Sequence, residues 1–95
     1  MATIQSLLNA CHAGDHRLVA RILRNKHSLV NEAVSNGQSP LCGLTPLYVA
    51  CLGGHTETVR VLLDKGSTVD LANNDGCTPL CVACKNGHES TARLL

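Results

Sequence analysis

Aromatic residues are nearly missing from this chain: among 95 positions there is one tyrosine, Tyr48, and no Phe or Trp. A large ligand pocket with aromatic walls is therefore excluded, and the apolar content comes from Leu, Val and Ala. Long hydrophobic runs are also absent, and nothing approaches the ~18 apolar residues that a membrane span needs. The opening segment MATIQSLLNAC has neither the basic start nor the apolar centre of a secretory signal. An excess of one charge sign is lacking too. Eight Lys and Arg against seven Asp and Glu leave a formal charge of +1. With Lys and Arg spread along the chain, the concentrated basic face of a nucleic-acid binder is not expected. At this length a single small domain with a limited core is the ceiling.

Cysteine, by contrast, is plentiful, with six copies. In a secreted chain that number would suggest a disulfide framework. Without a secretory signal the thiols are expected to stay reduced, in cytoplasm or nucleus. Cys51 and Cys84 occupy equivalent positions in the pattern described next, where they are expected to act as small buried hydrophobes.

The most informative feature is repetition. TPLYVACLGGHTETVRVL, residues 45–62, recurs as TPLCVACKNGHESTARLL, residues 78–95, with 11 of 18 columns identical at a spacing of 33 residues. Gly43 and Gly76 keep the same spacing ahead of each Thr-Pro-Leu. A fixed period between about 20 and 50 residues marks stacked supersecondary units that bury their apolar faces against each other.

Each unit carries its own punctuation. Thr45-Pro46 and Thr78-Pro79 predict helix starts, since Thr caps free N–H groups and Pro loses no bond at the first helical position. Leu47, Ala50 and Cys51, like Leu80, Ala83 and Cys84, follow at helical spacing. Gly54 and Gly87 predict left-handed stops. A second helix is expected from about Thr56, with Val59, Leu62 and Leu63 as its apolar stripe and Gly66 as its end. Ser67–Cys77 reads as an extended finger whose turn holds Asn73, Asn74, Asp75 and Gly76.

A looser copy opens the chain. Leu7, Ala10, Cys11, Gly14, Val19 and Leu23 match Leu47, Ala50, Cys51, Gly54, Val59 and Leu63 at an offset of 40. The surplus of seven residues falls between Leu23 and Thr45. Val30-Asn31 matches Val69-Asp70 at an offset of 39, so one extra residue precedes that pair and six follow it. Those six fall in a longer first finger, Glu32–Leu41, containing Asn36-Gly37 and Ser39-Pro40. Gln5-Ser6 stands where Thr-Pro is expected, as suits a capping unit that meets water. At the other end Leu95 falls where Leu62 sits. The third unit is thus expected to be incomplete, with Leu80, Val82, Leu94 and Leu95 forming an open apolar face. Such a face is expected in a piece of a longer array.

The Thr-Pro-Leu start, the Gly-His turn, the apolar second helix and the Asp-Gly-Cys-Thr join resemble the ankyrin repeat family. The resemblance implies an all-α solenoid of helix-turn-helix units with extended fingers, of about two and a half repeats. It would form one domain over 1–95: a divergent capping repeat at 1–40, a full repeat at 41–73 and an incomplete one at 74–95. It also implies a module that binds another protein, not an enzyme. The residue after Thr-Pro-Leu is usually His in this family, and that His bonds the neighbouring turn. Tyr48 and Cys81 replace it here, so looser joints are expected. The Cys-rich TPLxxAC units also look like those of ankyrin and SOCS-box adaptors, which recognise substrates for ubiquitin ligases, although no such box is found in this sequence.

Candidate site residues follow from this register. Finger tips and the free ends of the first helices would line a groove where identities are free to answer to a partner. These are His12 and Ala13, then Leu44, Leu52 and Gly53, then Asn74, Asp75, Cys77, Lys85 and Asn86. Leu44 and Leu52 offer either an apolar anchor or packing against the long finger. His55 and His88 recur once per unit, which favours turn histidines bonded to nearby backbone over acid–base residues. Cys77, Cys81 and Cys84 offer an alternative, a thiol-based redox or zinc element completed by His88. Gly87 should break that helix before His88, and the middle unit does not repeat the set. No cofactor, metal, small-molecule substrate, nucleic acid or membrane is expected as a ligand.

Overall fold

A computed structural model describes residues 4–32, 44–73 and 76–95 of the chain. Six helices follow in order: α1 (Ile4–Ala13), α2 (His16–Asn25), α3 (Pro46–Leu52), α4 (Thr56–Asp64), α5 (Pro79–Lys85) and α6 (Glu89–Leu94). A short 3-10 turn, His27–Asn31, extends α2. No strand element occurs among the described residues.

The helix ends lie where their chemistry puts them. Thr45 Oγ1 accepts from Tyr48 N–H and Thr78 Oγ1 from Cys81 N–H, each at 3.2 Å, with Pro at the following position. These bonds satisfy donors that have no partner inside the first turn. Three equivalent joints close α1, α3 and α5. Asp15, His55 and His88 N–H groups reach back to the carbonyls of Ala10, Ala50 and Ala83 at 3.0, 3.0 and 2.9 Å. This is the six-to-one bond of a Schellman ending, and it requires the left-handed glycines Gly14, Gly54 and Gly87, with φ of 74°, 68° and 74°.

Two layers result. Helices α1, α3 and α5 stack side by side as one layer, and α2, α4 and α6 as the other. The core runs between them through Leu7, Cys11, Val19 and Leu23, then Leu47, Cys51, Val59 and Leu62. Their small aliphatic volumes let the helices lie close, as the near absence of aromatics foretells.

The third pair meets expectation at Leu80, on the open face, and departs from it at Cys84 and Val82. Leu80 is 45% exposed, although its equivalent Leu47 is 1% exposed. Cys84 is exposed, not buried like Cys51. Val82, expected on the open face, is 4% exposed and belongs to the core. The physical reason is directional: Val82 points back at the preceding pair, while Leu80 and Cys84 sit in columns that a following helix covers elsewhere in the stack. Leu94 and Leu95 are half-buried against the core.

The fingers are tied by polar side chains. Asn31 Nδ2 donates to Gly66 O (3.2 Å) and its Oδ1 accepts from Thr68 N–H (2.7 Å), which joins the first connection to the second. The 73–77 turn closes through Asn73 N–H to Cys77 O (2.9 Å) and Cys77 N–H to Asn73 Oδ1 (3.0 Å). The expected long finger lies, beyond Glu32, outside the described residues.

Candidate partner-binding groove

Three helix ends form a row. His12 and Ala13 close α1, Leu52 closes α3 with Gly53 as its C-cap, and Lys85 closes α5 with Asn86 as its C-cap; all six residues are exposed. What aligns them is a bond from each unit to the one before. His55 Nε2 donates to His12 O at 2.9 Å, and His88 Nε2 donates to Leu52 O at 3.1 Å. A carbonyl can only accept, so Nε2 carries the proton in both rings. Asn86 Nδ2 adds a second bond to Leu52 O at 3.2 Å. Both histidines are therefore turn residues, spent on joining units.

The glycines make room for these rings. A Cβ on Gly14 would stand 2.5 Å from His55 Nδ1, and one on Gly54 would stand 2.6 Å from His88 Nδ1. On Gly53 it would lie 2.6 Å from His55 Nε2. At Gly87 it would meet nothing within 4 Å among the described residues.

The remaining candidates are less uniform. Leu52 is 38% exposed and Leu44 is half-buried against the core edge, so the two do not stand out as one wet pair. Cys77 is half-buried at the base of the finger turn, its Sγ 3.8 Å from Thr78 O. Asn74 and Asp75 lie outside the described residues.

The bonds of two polar residues were not expected from the sequence. Tyr48 is 6% exposed, and its hydroxyl accepts from Asn73 Nδ2 at 3.3 Å, tying α3 to the next finger turn. The joint expected to be loose at Tyr48 is thus bridged and packed. Asn31 is the other; its match to Asp70 at an offset of 39 was the one available signal.

Chemically the surface is quiet. Cys81 is exposed and its thiol is held above the ordinary range, first by a hydrogen bond with Cys77. Among the described residues no three His, Cys, Asp or Glu side chains converge as a metal site. A hollow of about 350 Å³ opens beside Gly54, Thr56, His88 and Thr91. Its imidazole is committed to Leu52 O, and its Thr56 and Thr91 hydroxyls pair at 3.3 Å. Among the described residues no helix is long and apolar enough to cross a membrane.

Comparison with known proteins agrees with this geometry. The family model described as ankyrin repeats matches residues 7–95 in three copies. The Ankyrin repeat and KH domain-containing protein mask of Drosophila melanogaster is 39% identical over 67 residues, covering 70% of this chain and 2% of that protein. Ankyrin repeat domain-containing protein 35 of Homo sapiens is 37% identical over 71 residues, covering 75% of this chain and 6% of its own length. The E3 ubiquitin-protein ligase XBAT32 of Arabidopsis thaliana is 46% identical over 43 residues, or 45% of this chain and 7% of the ligase. The chain therefore spans only a few per cent of these relatives. Ankyrin repeats are protein–protein interaction modules, in general without catalytic activity. Period, capped helix starts, left-handed joints and the match over nearly the whole sequence lead to one conclusion: the chain belongs to the ankyrin repeat family.

Proposed function

We propose that this chain holds a partner protein against the row formed by His12, Ala13, Leu52, Gly53, Lys85 and Asn86, with Leu44 and Cys77 at its finger side. Asn74 and Asp75 continue that side in sequence. The observation that carries the reading is the pair of histidine ties, which fix three exposed helix ends in one line without occupying their outer faces. The row mixes one leucine, one lysine and amide or imidazole groups, which suits a partner surface of mixed polarity. The repeats divide best at 1–40, 41–73 and 74–95. An intracellular setting, cytoplasm or nucleus, fits five cysteines that are all free among the described residues. The small share of its relatives that the chain spans supports a role as one segment of a larger adaptor.

Affinity capture with quantitative mass spectrometry tests the groove. The Leu52→Glu, Lys85→Glu variant is expected to lose about tenfold or more of the protein enriched on the unmodified chain, with an unchanged far-UV spectrum. Equal enrichment on both would refute the assignment. A second reading, substrate recognition within a ubiquitin ligase, draws on the likeness to XBAT32. Ligase subunits enriched along with the partner would favour it.

A further inference from the structure

Half of the chain's Lys and Arg residues, Arg17, Arg21, Arg24 and Lys26, lie in or just after α2, although they look scattered when counted along the sequence. Winding the helix gathers them. At ~100° per residue, Arg17, Arg21 and Arg24 fall within about 60° of each other over about 10 Å of axis. All three are exposed, and buried Val19, Ile22 and Leu23 occupy the opposite side. His16 and exposed His27 flank them.

No ion pair among the described residues engages these three arginines, although α4, packed beside α2, carries Glu57 in the column of Arg17 and exposed Asp64 in the column of Arg24. The two ion pairs among the described residues, Arg60–Glu57 and Arg93–Glu89, lie on α4 and α6. Helix α1 carries no carboxylate. Asp15, the acid nearest Arg17 in sequence, accepts from Leu18 N–H at 3.1 Å as the N-cap of α2. The equivalent helices provide an internal comparison. Helices α4 and α6 each carry a glutamate in the first turn, Glu57 and Glu89, that pairs with a cation one turn later. Helix α2 has no acid in its first turn and sets Arg17 in the column of Glu57. A cation there opposes the helix dipole, and its i+4 and i+7 neighbours repel it. Water contact on the capping unit accounts for a polar Arg21 in place of half-buried Val61. It does not account for a third like charge at the wrong helix end.

We infer that the outer face of α2 is a second docking surface, separate from the groove, for an acidic segment of a partner protein that presents carboxylates about one helical turn apart. Three guanidinium forks suit carboxylates, each bonding two oxygens of one group. Other polyanions fit less well. The apolar side of α2 is consumed by the core, so nothing remains to enter a lipid surface. No aromatic ring lies on this face to stack a nucleic-acid base, because the chain's one ring of that kind, Tyr48, is buried.

Titration by fluorescence anisotropy at low salt tests the inference on the whole chain, using labelled octaglutamate, octaglutamine, an eight-base RNA and phosphatidylserine vesicles. Octaglutamate is expected to bind, and to weaken about fivefold or more when salt rises from ~50 to ~200 mM. Arg17→Glu, Arg21→Glu, Arg24→Glu should reduce that binding at least ~10-fold. Arg60→Glu, Lys65→Glu, Arg93→Glu, which changes net charge equally, should reduce it less than ~3-fold. If the first variant fails to fold by circular dichroism, the matching three Arg→Gln changes give the same readout. The inference is overturned by octaglutamine binding as well as octaglutamate, by equal losses in both variants, or by tighter binding to RNA or vesicles.

Discussion

Cys11 and Cys51 occupy equivalent positions in α1 and α3, and both side chains are sealed in the core. Burial pushes each thiol up to about 12, because a thiolate there would lose its water and gain no cation. The ordinary value, 9.0, applies once the chain unfolds. Since the folded value is the higher one, this contribution to stability is complete below about pH 9 and is lost as pH rises toward about 12. Urea unfolding followed across that window should show stability falling more steeply for the unmodified protein than for Cys11→Ala, Cys51→Ala. Groups common to both proteins cancel in the comparison. Parallel curves would mean that the two thiols are open to water. Cys81 shows the contrast at the surface: its thiol is also raised, chiefly by its bond with Cys77, but its full exposure gives it no such hold on the fold.

At the scale of the element, the joint between units is the working part. Gly54 and Gly87 share one column and nearly one conformation, φ 68° and 74°, yet only Gly54 has a histidine ring where a Cβ would go. Alanine at Gly87 should therefore cost only the left-handed strain, about 1–2 kcal/mol. Alanine at Gly54 carries the same strain and also pushes His88 from Leu52 O, adding roughly 1–2 kcal/mol for the lost bond and packing. The difference between the two urea midpoints reads the worth of one joint, and equal values would remove the ring from the argument. Much of this element was legible beforehand. Thr-Pro starts, Gly stops and the Gly-His turn act through neighbours within a few residues, so the sequence alone carries them. Tyr48 and Asn31 act on residues 25 and 35–37 positions away, which a local pattern does not reveal. The basic side of α2 escaped for a related reason: charge read along the chain ignores the turn of the helix.

For the molecule as a whole, burial is set by position in the stack as much as by residue type. The repeat correctly assigned Leu47 to the core and Leu80 to an open face, but it assigned Cys84 and Val82 the wrong way round, since periodicity tells which residues share a face and not which neighbour covers it. Helix α5 covers α3, and among the described residues nothing covers the far side of α5. Leu47 and Leu80 then become one experiment performed at two depths. Leu47, 1% exposed, is enclosed on all sides, so Leu47→Ala should leave a cavity and cost about 2–5 kcal/mol. Leu80, 45% exposed, still has water beside it, so Leu80→Ala should cost under about 1 kcal/mol. The same Leu80 change should lower the fluorescence of a dye that binds apolar surface, while Leu47→Ala should raise it by loosening the core. Chemical denaturation with far-UV detection measures the first pair of effects and dye titration the second. If both leucines cost the same, the third helix pair is covered as fully as the second, and the open end of this stack does not exist in solution.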